Sequence, residues 1–230
     1  MANGKITPKS ILNFNKPPKV DEVESENEIT IDNLLERVSS DNVSDALKNL
    51  YSTDGLIKGV KPVNPKHKVA GFVKTAETNS YDWGTGIKAI YTCDEDEILV
   101  IKCSNNDYAM WGGLASCAAQ KHGLQAVVLV GSSRDTNDIL ELDFPVFSQE
   151  IQSRAGLPLN EGDIGEKLLV ENLVIKTGDF IIGDVDGVVV VPKEKLDEVI
   201  IELNKLKKFE ETITKKLIED NLQMDEIIGF

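Results

Sequence analysis

The sequence predicts one domain of the α/β class that ends in a long helix. Its clearest strand is the apolar run at positions 126–130, which is rich in β-branched residues and lies between Gly123 and Gly131. Such a run is typical of a strand that is buried on both faces. The chain has 230 residues, 41% of them hydrophobic, which is enough for a single domain with a sizeable core.

The first part of the chain is predicted to contain an extended arm, two short helices and several strands. Residues 1–28 include three prolines and an acidic stretch, which favour an extended arm. From Ile29 onward apolar residues recur at helical spacing, and Ser39 or Ser40 is suited to cap the second helix. Short strands are predicted after these helices, around 59–60, at 69–75 and at 98–102.

Helices and strands continue to alternate through the rest of the domain. The predicted order is a helix at 116–121, the strand at 126–130, a helix at 137–142, a strand at 145–147 and a strand-rich section at 168–191. The tripeptide Gly84-Thr85-Gly86 lacks the remaining positions of a dinucleotide fingerprint and is interpreted as a loop.

The carboxyl-terminal segment, residues 193–230, is predicted to be helical. Apolar residues recur there at helical spacing from Leu196 to Ile218. Because they fall on more than one side of the helix, a monomer would expose too much apolar surface, and we expect an oligomer. The predicted organisation is therefore an arm at 1–28, an α/β domain at 29–192 and a helical segment at 193–230.

Composition excludes several classes of function. The net charge of −14 argues against nucleic-acid binding, which needs a basic surface, and against binding to anionic membranes. No apolar run approaches the roughly 20 residues that span a bilayer, and the amino terminus lacks the apolar core of a signal peptide. Three cysteines without CxxC spacing favour a reducing compartment, so we expect a cytoplasmic protein. Two histidines are too few for a histidine-rich zinc site.

Charged residues follow the buried strand, where an open α/β sheet usually places its ligand site. Arg134 and Asp135 come shortly after position 130 and would stand beside the strand end. The planar guanidinium matches a carboxylate or phosphate, and the aspartate offers a hard oxygen ligand for a divalent cation. Gly112 and Gly113 precede a predicted helix, whose free N–H groups can bind an anion. Together these residues suit an anionic substrate chelated to a metal.

Each of these features also has a structural interpretation. Arg134 and Asp135 can form a loop ion pair, or Asp135 can cap the helix that follows it. The two glycines can form a tight turn that allows close packing. Asp184 and Asp186 alternate like metal ligands, but their glycine-flanked sequence is more simply a hairpin turn. Cys117 is interpreted as a helical core residue.

Four segments of the chain resemble the RraA-like family. They are 43–47 (VSDAL), the stretch from Gly112 to Arg134-Asp135, 143–147 (DFPVF) and 178–192 (GDFIIGDVDGVVVVP). The spacing from Gly112 to Arg134-Asp135 is the most specific of them. The family includes class II 4-hydroxy-4-methyl-2-oxoglutarate aldolases, oxaloacetate decarboxylases and the regulator of ribonuclease activity A. The resemblance covers about residues 29–192.

The resemblance implies a swivelling β/β/α domain that assembles as a homotrimer or homohexamer, with sites at subunit interfaces. Arg134 would bind a 2-oxo acid and act in catalysis, and Asp135 would ligate Mg²⁺ or Mn²⁺. In the family's aldolases such a metal binds a pyruvate-like unit and stabilises the negative charge that forms when a C–C bond breaks. The implied reactions are aldol cleavage of a 4-hydroxy-2-oxo acid and decarboxylation of oxaloacetate, both releasing pyruvate. The substrate-binding turn would consist of Gly112, Gly113, Leu114 and Ala115.

One position departs from the aldolase pattern. Aldolases of the family carry an acidic residue directly after the first glycine of the turn, where this chain has Gly113. That residue helps to fix the hydration of the metal, so its loss bears on aldol cleavage and on metal affinity. The family's ribonuclease regulators lack the aspartate after the arginine, whereas this chain keeps Asp135. We therefore expect a metal-dependent lyase rather than a catalytically silent oligomer that regulates protein partners.

Overall fold

The computed structural model describes residues 28–31 and 33–229, so the predicted arm lies outside the described residues apart from Glu28. The described chain has the mixed α/β fold that the sequence predicts. The helices are α1 (Leu34–Arg37), α2 (Ser40–Tyr51), α3 (Gly84–Ile90), α4 (Gly113–His122), α5 (Thr136–Leu142), α6 (Leu196–Ile218) and α7 (Met224–Ile228), with a 3₁₀ turn at Lys193–Lys195. The strands are β1 (Lys61–Pro62), β2 (Val69–Thr78), β3 (Ile98–Cys103), β4 (Ala109–Trp111), β5 (Ala126–Ser133), β6 (Val146–Ile151), β7 (Asp163–Ile164), β8 (Leu168–Val170), β9 (Leu173–Ile175), β10 (Phe180–Asp184) and β11 (Gly187–Val191).

Nine of the described strands form one strongly curled sheet. Its order is β1-β6-β5-β3-β2-β10-β11, with β4 added to β5 and β7 added to β2. Strands β2, β3, β5 and β6 are parallel, whereas β1, β10 and β11 join antiparallel. The N–H of Ile57 donates to the carbonyl of Val188, and that of Val190 to the carbonyl of Gly55, both at 2.9 Å. Residues 55–57 therefore lie against the edge strand β11. A few residues later the chain forms β1, which pairs with β6 at the other edge, so the two edges of the sheet nearly meet.

Alternation along the central strands divides their apolar side chains between two cores. In β3, Leu99 and Ile101 pack with side chains of α3, α4 and α5, whereas Ile98 and Val100 face the interior of the curled sheet. All four side chains are fully buried. A third core lies where α1, α2 and α6 cover β10 and β11. Both faces of the central strands are therefore covered, as the apolar run of β5 predicts.

The hairpin of β10 and β11 confirms the structural interpretation of Asp184 and Asp186. Its turn lies between Asp184 and Gly187, which are paired across the two strands. The buried carboxylate of Asp184 accepts hydrogen bonds from the N–H and hydroxyl of Ser40 at 2.7 and 2.6 Å. It therefore connects the hairpin to the start of α2, where Ser39 forms the predicted cap.

Three sequence-based interpretations are wrong. The tripeptide that begins at Gly84 is not a loop but the start of α3, because an aspartate side chain accepts hydrogen bonds from its first N–H groups. Helix α4 begins at Gly113, three residues before its predicted start, because Gly112 takes the N-cap position. Cys117 is exposed rather than buried, since α4 packs through the other face that carries Ala115 and Ala119.

The long carboxyl-terminal helix is confirmed as α6. It packs on α2 and buries Val199 and Leu203 in the third core. Ile201 and Ile218 lie on other sides of the helix and are 58% and 75% exposed. Within the described residues, none of the helices is both long and apolar enough to cross a membrane.

Candidate active site

The predicted turn and the predicted charged pair lie side by side in the structure. Strand β4 runs parallel to β5, with Ala109 opposite Ser132 and Trp111 opposite Ser133. The N–H of Arg134 continues this pairing and donates to the carbonyl of Trp111 at 2.9 Å. The loop before α4 and the loop before α5 therefore start from adjacent strand ends. This adjacency is the condition under which the glycine turn and the charged pair can act on one ligand.

Asp135 occupies the N-cap position of α5, but its carboxylate does not cap that helix. Its backbone is left-handed, with φ of 57°, and this conformation turns the side chain toward the neighbouring loop. There Oδ2 accepts a hydrogen bond from the N–H of Gly113 at 3.2 Å. The interpretation of Asp135 as a side-chain cap is therefore wrong.

The loop ion pair between Arg134 and Asp135 is present but loose. Nε of Arg134 lies 3.4 Å from Oδ2 of Asp135. The two side chains keep 44% and 35% of their surface exposed, so solvent screens much of their attraction. Both groups retain hydrogen-bonding capacity that a ligand could use.

Gly112 is required by the close approach of the aspartate. A Cβ atom at this position would lie 2.4 Å from Oδ2 of Asp135 and 3.2 Å from Cγ of Arg134. Its φ of −163° is ordinary extended backbone, so the constraint is space rather than strain. The two interpretations of the glycine turn are therefore compatible. The absence of a side chain at Gly112 allows close packing and also leaves room for the carboxylate of Asp135.

Gly113 is crowded by a second carboxylate that the sequence analysis did not single out. A Cβ atom at Gly113 would lie 2.7 Å from Cβ and 3.0 Å from Oδ2 of Asp138, in the first turn of α5. Asp138 is exposed and forms none of the hydrogen bonds or ion pairs found among the described residues. An acidic side chain therefore borders the turn from α5 instead of projecting from position 113.

The first turn of α4 presents backbone donors beside this pair. The N–H of Gly113 is already bound to Asp135, whereas those of Leu114 and Ala115 have no acceptor within the helix because of their position in its first turn. The Leu114 side chain is 90% exposed and Ala115 is buried. Trp111 Nε1 donates to the hydroxyl of Ser116 at 2.9 Å, which helps to fix the turn.

A cavity of about 130 Å³ opens beside the charged pair. Arg134 and Asp135 provide the charged side chains among its described lining residues, and the rest of the wall is apolar or backbone. The apolar side chains come from both sides of the cavity. The lining consists of Trp83, Ile87, Ala109, Met110, Trp111, Gly112, Leu114, Ala115, Arg134, Asp135 and Ala155.

A second part of the cavity wall, which carries Trp83, is built around Asp82. This fully buried carboxylate accepts hydrogen bonds from five backbone N–H groups and two threonine hydroxyls, at 2.6 to 3.3 Å. Burial opposes its ionisation, but the hydrogen bonds from Thr85, Glu161, Asn160 and Thr78 outweigh burial, so its pKa lies well below the ordinary value. Three of the N–H donors come from residues 159–161. Asp82 therefore joins the start of α3 to the segment after β6.

That connection positions the neighbouring lining residues. Trp83 donates from Nε1 to the carbonyl of Gly156 at 3.1 Å and from its N–H to Leu157 at 3.1 Å. Ala155 directly precedes Gly156 on the same segment and lines the cavity. The sequence analysis missed this wall. The aspartate two residues before Gly84 was the available signal, because it is suited to cap a helix start.

The carboxylate of Asp135 is suited to an ion such as Mg²⁺ that keeps several water or substrate ligands. It is not suited to an ion whose ligands all come from protein side chains. No group of three histidine, cysteine, aspartate or glutamate side chains is arranged as metal ligands within residues 28–31 and 33–229. Mg²⁺ commonly binds through one or two carboxylates and keeps several waters or substrate oxygens. Asp135 uses Oδ2 for the Gly113 N–H, and no hydrogen bond from the described part of the chain engages its Oδ1.

The fold and this geometry define an α/β protein with a candidate anion site between a helix start and an arginine at a strand end. Residues 40–190 match the family model RraA-like, which is described as Aldolase/RraA. The chain therefore belongs to the RraA-like family.

Two relatives extend the comparison. An uncharacterized protein of Methanocaldococcus jannaschii is 37% identical over 165 residues, which cover 70% of this chain and 79% of that protein. A protein of Halalkalibacterium halodurans is 29% identical over 181 residues, which cover 78% and 84% of the two chains. The second relative carries the provisional name 4-hydroxy-4-methyl-2-oxoglutarate aldolase.

Solved structures share the fold. An uncharacterized protein from Pseudomonas syringae pv. tomato has a TM-score of 0.76 at 21% identity, covering 90% of this chain and 98% of that one. An RraA-family protein of Streptomyces coelicolor, described as an unusual member of the RNase ES inhibitor RraA protein family, has a TM-score of 0.71 at 20% identity. It covers 79% of this chain and 95% of its own. The predicted RraA-like fold is thereby confirmed.

Proposed function

We propose that this protein is a divalent-metal-dependent lyase that breaks a C–C bond in a 2-oxo acid and releases pyruvate. The observation that carries the proposal is the position of Arg134 and Asp135 together at one cavity, beside the first-turn N–H groups of α4. The relative with an aldolase name supports the same reaction class. Three free thiols agree with the reducing cytoplasm that we propose as its location.

Each residue of the site has a distinct task in this proposal. Arg134 binds the carboxylate of the 2-oxo acid through its planar fork, and the N–H groups of Leu114 and Ala115 add donors. Asp135 would hold Mg²⁺ or Mn²⁺, and Gly112 leaves the space that this carboxylate needs. Gly113 contributes the N–H that orients Asp135. The bound ion would act as a Lewis acid that stabilises negative charge on the keto oxygen.

The bond changes of aldol cleavage balance without a redox partner. The 4-hydroxyl proton leaves to solvent, the C3–C4 bond breaks, and C4 becomes a carbonyl carbon. The electron pair of the broken bond remains on C3, where the adjacent carbonyl delocalises it as an enolate. Arg134 lies where it can stabilise this developing negative charge, and protonation at C3 then gives pyruvate.

The second candidate function is a catalytically silent oligomer that binds protein partners through its acidic surface. The net charge of −14 favours it, as does the similarity to a structure described as a member of an RNase inhibitor family. The two candidates differ in one measurable property. A silent oligomer releases no pyruvate, whatever metal is added.

We also propose that the protein forms a homotrimer or homohexamer. Large apolar side chains stay exposed on the single chain, including Leu114 at 90%, Ile218 at 75% and Ile201 at 58%. Such surface favours burial between subunits. Light scattering at micromolar concentration is expected to give three or six times the chain mass of 25.3 kDa. A clean monomer would contradict the assembly.

The lyase function is tested by coupled detection of pyruvate from oxaloacetate and several 4-hydroxy-2-oxo acids. We expect release with Mg²⁺ or Mn²⁺ to exceed release with a chelator, and Asp135→Ala to abolish the difference. Glu141→Ala is the matched control, because it removes an exposed carboxylate from the same helix outside the cavity. Equal metal-dependent rates in the wild type and Asp135→Ala would refute the metal role.

A further inference from the structure

We propose that Ser116 is a positioning residue for the carboxylate of Asp135. It acts through one peptide group, which joins Gly112 to Gly113. The role rests on the proposed lyase function, since it concerns the ion that Asp135 would hold. Ser116 and its partner Trp111 are 0% and 2% exposed, so their contacts are made inside one chain.

The peptide group between Gly112 and Gly113 is held at both ends. Its carbonyl accepts hydrogen bonds from the N–H and from the hydroxyl of Ser116, both at 3.0 Å. Its N–H, which belongs to Gly113, donates to Oδ2 of Asp135 at 3.2 Å. Because a trans peptide group is planar, its carbonyl and its N–H point in opposite directions. A contact that fixes the carbonyl therefore also fixes the direction of the hydrogen bond that Asp135 receives.

Two consecutive glycines make this peptide group dependent on its contacts. Glycine has access to a wider range of φ and ψ than other residues, so a peptide group between two glycines rotates more easily. A side chain cannot restrict it without collision. A Cβ atom at Gly112 would meet Oδ2 of Asp135, and one at Gly113 would lie 2.7 Å from Cβ of Asp138. The rigidity of the turn must therefore come from hydrogen bonds.

The hydroxyl of Ser116 is itself held by the indole of Trp111. Nε1 of Trp111 donates to Oγ of Ser116 at 2.9 Å, and Oγ donates to the carbonyl of Gly112. Because an indole N–H can only donate, the direction of both bonds is determined. The carbonyl of Trp111 accepts from the N–H of Arg134 at 2.9 Å. The chain of contacts thus starts at Arg134 and returns, through the glycine peptide, to Asp135.

These contacts give Ser116 more than the usual role of a helical serine. A serine hydroxyl often bonds the carbonyl four residues earlier, which by itself concerns only the helix. Here a buried indole fixes the hydroxyl, and the same peptide group bonds the carboxylate of Asp135. Groups that hydrogen-bond a metal ligand orient it, and their loss weakens metal binding. Ser116 is one step further from the ligand than such a group.

Titration with Mn²⁺, in which electron paramagnetic resonance follows the free ion, tests this role. Ser116→Ala removes the hydroxyl, and we expect it to weaken Asp135-dependent Mn²⁺ binding about three- to tenfold, less than the roughly 10- to 100-fold typical of a direct partner. Ser40→Ala is the matched control. It removes another buried hydroxyl from the first turn of a helix, where that hydroxyl bonds Asp184. Its Mn²⁺ affinity should stay within about twofold of the wild type.

The outcomes separate the positioning role from the function on which it rests. Equal Mn²⁺ affinity in the wild type and Ser116→Ala would overturn the positioning role and leave the metal role of Asp135 intact. Equal weakening in Ser116→Ala and Ser40→Ala would also overturn it, because the effect would then follow from any lost buried hydroxyl. Equal Mn²⁺ binding by the wild type and Asp135→Ala would overturn the metal role itself, and the positioning role with it.

Two further variants test the chain of contacts at each of its members. Ser116→Thr keeps a hydroxyl and should recover most of the Mn²⁺ affinity that Ser116→Ala loses. Trp111→Phe adds no volume and removes only the indole donor, so we expect a weakening smaller than that of Ser116→Ala. Wild-type affinity in Trp111→Phe would refute the part assigned to the indole. A folded Ser116→Thr protein that binds Mn²⁺ as weakly as Ser116→Ala would refute the part assigned to the hydroxyl.

The metal dependence of pyruvate release provides an independent measurement. In Ser116→Ala the Mn²⁺ concentration that gives half of the maximal rate should rise about three- to tenfold, and the maximal rate should change less. A purely structural role would lower the amount of folded enzyme. That loss would reduce the maximal rate and leave the half-saturating Mn²⁺ concentration unchanged, which would contradict the positioning role.

Discussion

Asp135 lines the cavity and Asp82 precedes the lining residue Trp83, and these two aspartates have opposite surroundings. Asp82 is fully buried, and its two oxygens accept seven hydrogen bonds. Asp135 keeps 35% of its side chain exposed and contacts one backbone N–H and a loosely placed arginine. Both stand next to a helix start and both are acidic, so residue type and helix position alone do not distinguish them.

The difference lies in which oxygen lone pairs remain available. A carboxylate oxygen has about two good acceptor positions, and the protein itself occupies those of Asp82. Asp82 therefore stabilises the wall that carries Trp83 and Ala155. Asp135 retains acceptor positions that the described residues do not fill, and it borders the cavity. Within one site, the saturated aspartate is suited to structure and the unsaturated one to binding.

The comparison predicts its largest effect for Asp82→Ala. This change leaves five backbone N–H groups without their acceptor, two of them on the buried residues Gly84 and Thr85, and we expect the free energy of unfolding to fall by about 3 kcal/mol or more. Urea unfolding of the purified protein measures the change. Asp138→Ala is the control, because Asp138 is exposed and should alter stability by less than about 0.5 kcal/mol. A similar loss of unfolding free energy in both variants would show that Asp82 contributes no more to stability than an exposed aspartate does.

Arg134→Lys should impair activity strongly while leaving the fold unchanged. An ammonium group cannot reproduce the planar fork, so we expect kcat/KM for pyruvate release to fall roughly 10- to 100-fold. The melting temperature should stay within a few degrees, since Arg134 is 44% exposed. Arg154→Lys serves as the control for loss of a guanidinium outside the cavity. Equal activity losses in the two variants would argue against a specific role for Arg134.

Gly113→Asp should be limited by Asp138 rather than by backbone strain. The new side chain would meet Cβ of Asp138 at 2.7 Å and place two carboxylates together, so we expect a stability loss of about 1 to 3 kcal/mol. Gly113 is not among the glycines with positive φ. Adding Asp138→Ala removes the contacts with the carboxylate and the charge repulsion but keeps the Cβ contact, so it should recover part of the loss and tighten Mn²⁺ binding, as measured by titration. A double variant as unstable as the single one would show that the carboxylate of Asp138 does not contribute to the loss.

The smallest predicted effect is a pH dependence carried by Asp82. Its pKa in the folded state lies below the unfolded value of about 3.9, so the stability it provides is present above that pH. This stability is lost as the pH falls toward the folded pKa. The difference in unfolding free energy between wild type and Asp82→Asn should be constant from pH 5 to 8 and decrease below about pH 4. A difference that grows in acid would contradict the assignment.

Much of the secondary structure could be predicted because its signals are local. The apolar run at 126–130, the Ser39 cap and the Asp184–Gly187 hairpin depend on residues within a few positions of one another. Helix α3 was missed for a related reason. Its start contains two glycines, which disfavour helix in isolation, and the hydrogen bonds that stabilise it come from the Asp82 side chain.

The candidate site could be predicted in part. The order of glycine turn, strand and charged pair indicated Gly112, Arg134 and Asp135, and the structure places all three at one cavity. The sequence did not indicate that Asp135 turns away from its own helix. That orientation depends on the left-handed backbone at Asp135 and on the Gly113 N–H, which is supplied by another strand connection.

Local pattern was sufficient to predict most of the strands and the long helix, and to indicate the residues that we propose bind the ligand, because periodicity and residue type act over short stretches. Packing between distant segments set which of those residues meet. Asp135 binds an N–H 22 residues away in the chain, and Asp82 binds one 78 residues away. Such contacts form only when the sheet aligns its strand ends, and they decide which aspartate is saturated and which remains free to bind.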